Sequence, residues 1–226
     1  IWAWRSTSLI RLPWRKASQE LLRERLFWQA WCGAGTLAFA VIVGADGWAP
    51  LIGFALAGFA AGAALRQIVL ATRRQGWRGL VGRADGGMIV HLGVIMIAVA
   101  LVASNSYTTS ARIELRQGEV VEFAGHTLEL VEVVQETDER VDVIRANIRV
   151  DGGKVYGPAF TTYLRMGLPV LTPSVMTGVT HDLYLTTAGT TPPAVGATEV
   201  SLQVFRKPLI LWLWIGGGVM ALGTVL

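Results

Sequence analysis

Charge is scarce in this sequence, and so is cysteine. Asp, Glu, Lys and Arg make up only 16% of its 226 residues, against about 25% in soluble domains, which excludes an ordinary water-soluble globule. With a single cysteine, Cys32, the chain has no disulfide scaffold and no zinc or iron–sulfur centre built from several of its own thiolates. No basic head, short apolar core and small-residue cleavage site follow one another at the start, so no signal peptide is read there. G-x-S-x-G, P-loop, H-E-x-x-H and C-x-x-C patterns are all missing, which removes the common nucleophile, phosphate and metal signatures. What the chain has is apolar bulk. Hydrophobic residues reach 52% and mean hydropathy is +0.47. Nine tryptophans against four tyrosines suit a protein with several lipid–water interfaces.

A membrane-crossing helix needs about 20 mostly apolar residues. Three stretches qualify, over residues 27–45, 48–70 and 87–104, and a fourth begins at Pro208 and runs to the last residue. The chain starts at Ile1 and stops at Leu226 inside that apolar run. Both ends are therefore expected to be cuts in a longer membrane protein, with part of any site elsewhere. Charge orients the spans. Residues 105–207 hold 9 basic and 12 acidic side chains, whereas the rest of the chain holds 11 basic and 4 acidic. Basic residues stay on the cytoplasmic side. The expected organisation is a basic cytoplasmic arm over 1–26, either lying against membrane lipid or simply a connector out of a preceding helix, and three transmembrane helices over 27–104. A periplasmic β-rich domain over 105–207 and a final, truncated transmembrane helix over 208–226 follow. The basic excess is thus topology rather than nucleic-acid binding.

Residues 110–206 alternate with period two and carry turn signals at Gly118, Asp151-Gly152-Gly153, Gly189 and Pro192-Pro193. About seven short strands are expected, forming an antiparallel β-sandwich or barrel-like domain inserted before the last span. The fold class is a mixed membrane protein, helical spans plus this domain. Gly and Ala faces in the second span, such as Gly53, Ala57, Gly58, Ala61 and Gly62, predict close helix packing.

Three histidines remain. His91 lies one turn into the third span, in GGMIVHLGVIMIAVAL. An ionisable group inside a span is costly and points to function, and imidazole is a standard axial ligand of haem iron. Gly86, Gly87 and Gly93 nearby leave room for a flat ring. The competing reading is an imidazole simply bonded to a carbonyl or a headgroup. No other span carries a histidine, so a second axial ligand must come from outside this chain. His126, in AGHTLEL, reads as a solvated surface residue. His181 sits beside Asp182, but neighbours in a strand face opposite ways, so Asp182 does not orient it and a structural role is expected.

From about Gly86 onward the chain resembles the C-terminal part of CcmF, a family of haem-handling membrane proteins of bacterial cytochrome c maturation. The matching runs are GGMIVHLG, SNSYTTSARIEL, RQGEVVEFAGHTLEL, DLYL and FRKPLILWLWIGGGVMALG, in order, across about 140 residues. The resemblance implies a haem lyase subunit that takes haem from the chaperone CcmE and assists its attachment to apocytochrome c, served by CcmH/CcmI-like delivery proteins. It also implies an inner-membrane haem b, reduced by quinol, with His91 as one axial ligand and haem reduction as its task. The family's Trp-rich haem-binding motif and second axial histidine belong to an N-terminal half that this chain lacks, so the chain alone is expected not to attach haem, and no catalytic residue is assigned. An arginine is expected where His181 precedes DLY, so no family role transfers there. The rival readings are a non-catalytic membrane-anchored β-domain serving as scaffold or adaptor, and a transporter subunit. The latter is disfavoured because paired intramembrane charges are missing.

Overall fold

A computed structural model describes residues 19–76, 83–165, 167–189 and 192–226. Most of the basic arm (1–18) and Arg78 of the arginine loop fall outside the described residues. Four helices are present: α1 (Gln19–Ile42), α2 (Trp48–Gln75), α3 (Arg83–Ser106) and α4 (Ile210–Val225). Two stretches, Trp48–Gln75 and Gly86–Ser106, are long and apolar enough to cross a membrane, while the apolar helices Leu26–Ile42 and Ile210–Val225 are shorter. The first helix ends sooner than its hydropathy predicts. Gly44 and Gly47 take φ of 87° and 82°, a left-handed backbone that glycine adopts freely, and they turn the chain into α2.

Small residues join the helices. A Cβ on Gly62 would fall 2.8 Å from Cys32 Cβ, and one on Gly33 3.0 Å from the Ala55 carbonyl, so α1 and α2 meet backbone to backbone. The seam between α3 and α4 is built the same way. A Cβ on Gly86 or Gly93 would sit 2.6 Å from the Gly223 or Gly216 carbonyl oxygen. Such small-to-small contacts let helices approach closely without a water-driven core.

The inserted domain has ten strands: β1 (Thr109–Arg116), β2 (Val120–Phe123), β3 (His126–Thr137), β4 (Val141–Val150), β5 (Val155–Tyr156), β6 (Ala159–Tyr163), β7 (Leu168–Thr172), β8 (Ser174–Met176), β9 (His181–Thr187) and β10 (Glu199–Pro208). They form a four-stranded sheet, β1-β10-β9-β8, and a six-stranded sheet, β2-β3-β4-β6-β7 with β5 on β4. All these strand pairs are antiparallel, as the alternation predicts. Strands β6 to β8 were not expected. Their stretch, AFTTYLRMGLPVLTPSVM, is broken by prolines and lacks clean alternation. Pro169 is tolerated because β7 is an edge strand with only β6 as neighbour.

Leu115, Leu128, Leu130, Ile148, Leu183, Leu185, Leu202 and Val204 are fully buried between the sheets. Each such side chain contributes about 1.5–3 kcal/mol. One connection ties the two halves. Strand β1 follows α3 after two residues, and β10 leads through Leu209 into α4. Because β1 and β10 are hydrogen-bonded neighbours, with Thr109 opposite Arg206, the sheet register itself sets α3 and α4 side by side.

Candidate functional site

His91 lies on α3, where its residue is exposed. Its Nδ1 is 2.7 Å from the Gly87 carbonyl oxygen, four residues back. A carbonyl only accepts, so Nδ1 carries the proton and donates, and Nε2 keeps its lone pair free. Gly87 is the only glycine of the expected trio that stays open, since a Cβ there meets nothing within 4 Å. Gly86 and Gly93 do not make room for a ring; both are filled by α4. They lie on the other side of the helix, and His91, Val94, Ala98, Leu101 and Asn105 form the exposed stripe of α3. An apolar hollow of about 480 Å³ between α1, α2 and α3, lined by Phe39, Phe54, Val99 and Tyr107 among others, is a separate feature. Val99 is eight residues from His91, about 12 Å along the helix axis.

Of the other two histidines, His126 departs from expectation. His126 is not a solvated residue: its side chain is 14% exposed and its Nε2 lies 2.8 Å from His181 Nε2. Two tight turns bring this about. Ala124-Gly125, between β2 and β3, and Asp151-Gly152, after β4, all take positive φ, the twist that suits two-residue hairpins. The turns are neighbours, with the Asp151 amide donating to the Thr127 carbonyl at 2.9 Å. Asp151 Oδ2 then accepts from His126 Nδ1 at 2.7 Å, and Asp151 Oδ1 accepts from the Thr127 amide at 2.9 Å. That hydrogen bond from His126, before the one from Thr127, holds the Asp151 carboxyl below its ordinary value of 3.8.

His181 faces the other sheet's end. Its Nδ1 is 2.9 Å from Thr180 Oγ1 and 3.3 Å from Arg206 Nη2. Burial, and then the Arg206 and His126 charges, push its imidazole below 6.5, while Asp182 opposes them. Asp182 does not bond to His181; buried at 3% exposure, it accepts from the Gly178 amide at 3.1 Å, as the opposite-face argument predicts. Among the described residues no group of three or more His, Cys, Asp and Glu is arranged to hold a metal ion.

No family model matches the chain. It is 27% identical over 201 residues to the cytochrome c-type biogenesis protein CcmF of Pseudomonas aeruginosa, covering 85% of this chain and 29% of that protein. It is 28% identical over 204 residues to the protein of the same name from Pseudomonas fluorescens, with 85% and 30% covered. The biogenesis protein CycK of Bradyrhizobium diazoefficiens matches at 25% identity over 72% of this chain. The chain thus spans about three tenths of the length of the first of these relatives. Among solved structures, one titled cytochrome c heme lyase CcmF superposes with a TM-score of 0.74 at 23% identity, covering 94% of this chain and 36% of that one. At that identity the superposition speaks for the fold alone. The helices, the inserted β-domain and the sequence matches agree: over most of its length the chain is similar to part of the CcmF proteins.

Proposed function

We propose that this chain is the C-terminal part of a CcmF-like membrane protein that handles haem during cytochrome c maturation, with His91 as one axial ligand of a membrane haem b. The observation that carries the reading is the free Nε2 of His91, because the bond of Nδ1 to the Gly87 carbonyl is one that the rival, simply bonded imidazole also makes. A histidine on the exposed face of an apolar helix is costly in lipid unless it serves a purpose. Here the backbone fixes its tautomer with Nδ1–H donated at 2.7 Å, which raises the basicity of the other nitrogen and points to Nε2 as the metal-binding atom. The residues present therefore fit the group: a free Nε2, an open Gly87 beside it, and an apolar stripe for a flat ring to lie on.

When bound, the haem would supply one-electron chemistry, and reduction of an incoming haem iron is the step it serves. This chain's part is to present and orient the imidazole. The second axial ligand comes from outside residues 1–226. In this reading α1 to α3 cross the bacterial inner membrane and α4 is the truncated final span. The arm over 1–26 and the basic end of α2, with Arg73 and Arg74 in its last turn, lie in the cytoplasm with His91 near that face. There a quinol can reach the haem. The domain over 105–207 stands in the periplasm, where the haem chaperone CcmE, apocytochrome c and CcmH/CcmI-like delivery proteins would meet it.

The test is a reduced-minus-oxidised absorption spectrum of the chain purified with the remainder of its protein, wild type beside His91→Ala. A b-type signal lost in the mutant, at unchanged expression, is the expected result. A signal indifferent to the mutation would sink the ligand assignment and leave a tethered β-domain that acts by contact, as a scaffold.

A further inference from the structure

We propose that Asp151, His126, His181 and Arg206 form a proton-sensitive clasp that fastens the two sheets beside the entrance to α4 and lets go on acidification. The inference is independent of His91 and of haem. It rests on counting protons along the chain of contacts.

Asp151 Oδ2 can only accept, so His126 Nδ1 carries a hydrogen. The Arg206 guanidinium can only donate, so His181 Nδ1 presents its lone pair, and Thr180 Oγ1 can turn its hydrogen the same way. One hydrogen then lies between the two Nε2 atoms at 2.8 Å. Two ring protons satisfy every contact, and both imidazoles are neutral. A third has no free place. On a second Nε2 it sets two N–H groups head to head; moved to His181 Nδ1 it faces the Arg206 N–H at 3.3 Å. Arg206 has no slack to give, because its Nε is already buried without a partner. Either way one link of the clasp breaks.

The other charged groups nearby do not replace the missing acceptor. Asp182 is engaged by the Gly178 amide, Lys207 lies 4.9 Å over the Tyr184 ring and Lys154 lies 5.4 Å over the Tyr156 ring. A metal ion between the rings is disfavoured by the Arg206 charge and by the lack of a third ligand among the described residues. The sign follows from the His181 shift. Its folded value lies below 6.5, so the clasp contributes fully above that pH. As pH falls through the imidazole range the open form takes the proton first and the clasp weakens.

The clasp sits where loosening can travel. His126 and, in the turn just after β4, Asp151 lie at the six-stranded sheet, His181 and Arg206 in the four-stranded one. His181 lies opposite Pro208 in register. The Leu209 amide donates to the Thr180 carbonyl at 3.0 Å, and Trp212 Nε1 in the first turn of α4 donates to the Val179 carbonyl at 3.0 Å. Opening therefore frees the segment that sets α4 against α3.

Hydrogen exchange of the whole chain in detergent tests this at about pH 7.5 and about pH 5.5, either side of the ordinary imidazole value, with rates corrected for intrinsic chemistry. Peptides spanning 123–128, 150–153 and 178–184 should exchange several-fold faster at the lower pH, while the middle of the β3–β4 pair stays protected. His126→Gln should flatten that response by removing the imidazole that shares a hydrogen with His181. Arg206→Met should shrink it, because His181 Nδ1 can then hold the third proton against Thr180. Equal exchange at both pH values in the wild type would overturn the proposal, as would an undiminished response in both variants. One equivalent of zinc taken up by the wild type but not by His126→Gln would also overturn it, making the pair a metal site.

Discussion

In the helical half the residues that touch are small and the large ones face out; in the β-domain the arrangement is reversed. Gly86, Gly93, Gly216 and Gly223 carry the α3–α4 seam, while Trp31, Phe39, Ile42 and Leu56 stand 63%, 65%, 81% and 63% exposed. Between the sheets, Leu128, Leu130, Ile148 and Leu202 are wholly buried. Water drives apolar side chains together, so a domain bathed in it hides its leucines. Lipid tails are as apolar as leucine and give no such drive, so outward large side chains over close backbone packing are what helices in a membrane would show. Polar groups follow the same division. The helices hold their imidazole, His91, at the surface with a local backbone partner, and the β-domain draws two imidazoles, a carboxylate and a guanidinium into one linked chain.

Mutations can break this contrast, and the largest effect belongs to the sandwich. Leu130→Ala should cost about 2–5 kcal/mol by emptying a filled core site, whereas Leu56→Ala, on the outer face of α2, should stay within about 0.5 kcal/mol. Thermal unfolding of both variants in the same detergent checks the pair, and equal losses would erase the distinction. Next comes the seam. Gly93→Val places atoms against the Gly216 carbonyl and Met220 and should destabilise by about 1–3 kcal/mol, the usual cost of overpacking. It should separate α3 from α4 without disturbing the sheets, which fluorescence of a variant keeping only Trp212 and Trp214 can follow apart from far-ultraviolet strand signals.

The smallest effect concerns the polar chain at low pH. Asp151 has a folded value below 3.8, so its contribution is present above that pH and disappears as pH falls further. Its carboxylate is half exposed and solvent screens the pair, so the change is modest. Asp151→Asn should reduce the acid-induced loss of stability below about pH 3.8 without steepening it; a steeper loss in the variant would contradict the assigned hydrogen bond.

Much of this was legible in order along the chain. Apolar runs predict helices because a membrane span is a one-dimensional pattern, and α2 and α3 follow their runs closely. Period-two alternation likewise marks β1, β3, β4, β9 and β10. The prolines and irregular pattern around β6–β8 concealed those strands, since an edge strand can be held by one neighbour without alternating. The site was half legible. His91 stands out because a histidine amid apolar residues is conspicuous by itself, and its partner Gly87 is only one helical turn away. The burial of His126 is not legible along the chain, because its partners Asp151 and His181 lie 25 and 55 residues away.

By itself, then, the sequence determined what depends on near neighbours: which segments are helices, which strands alternate, how charge is divided, and which imidazole sits within an apolar run. The tertiary structure alone decided what depends on register. Hydrogen bonding of β1 to β10 placed α4 on Gly86 and Gly93 and left the His91 face open. Two left-handed turns, with the stacking of one sheet on the other, brought Asp151, His126, His181 and Arg206 within hydrogen-bond reach. The reason is physical. Local preferences extend over a turn or two of backbone, while packing and strand pairing choose partners across the whole chain.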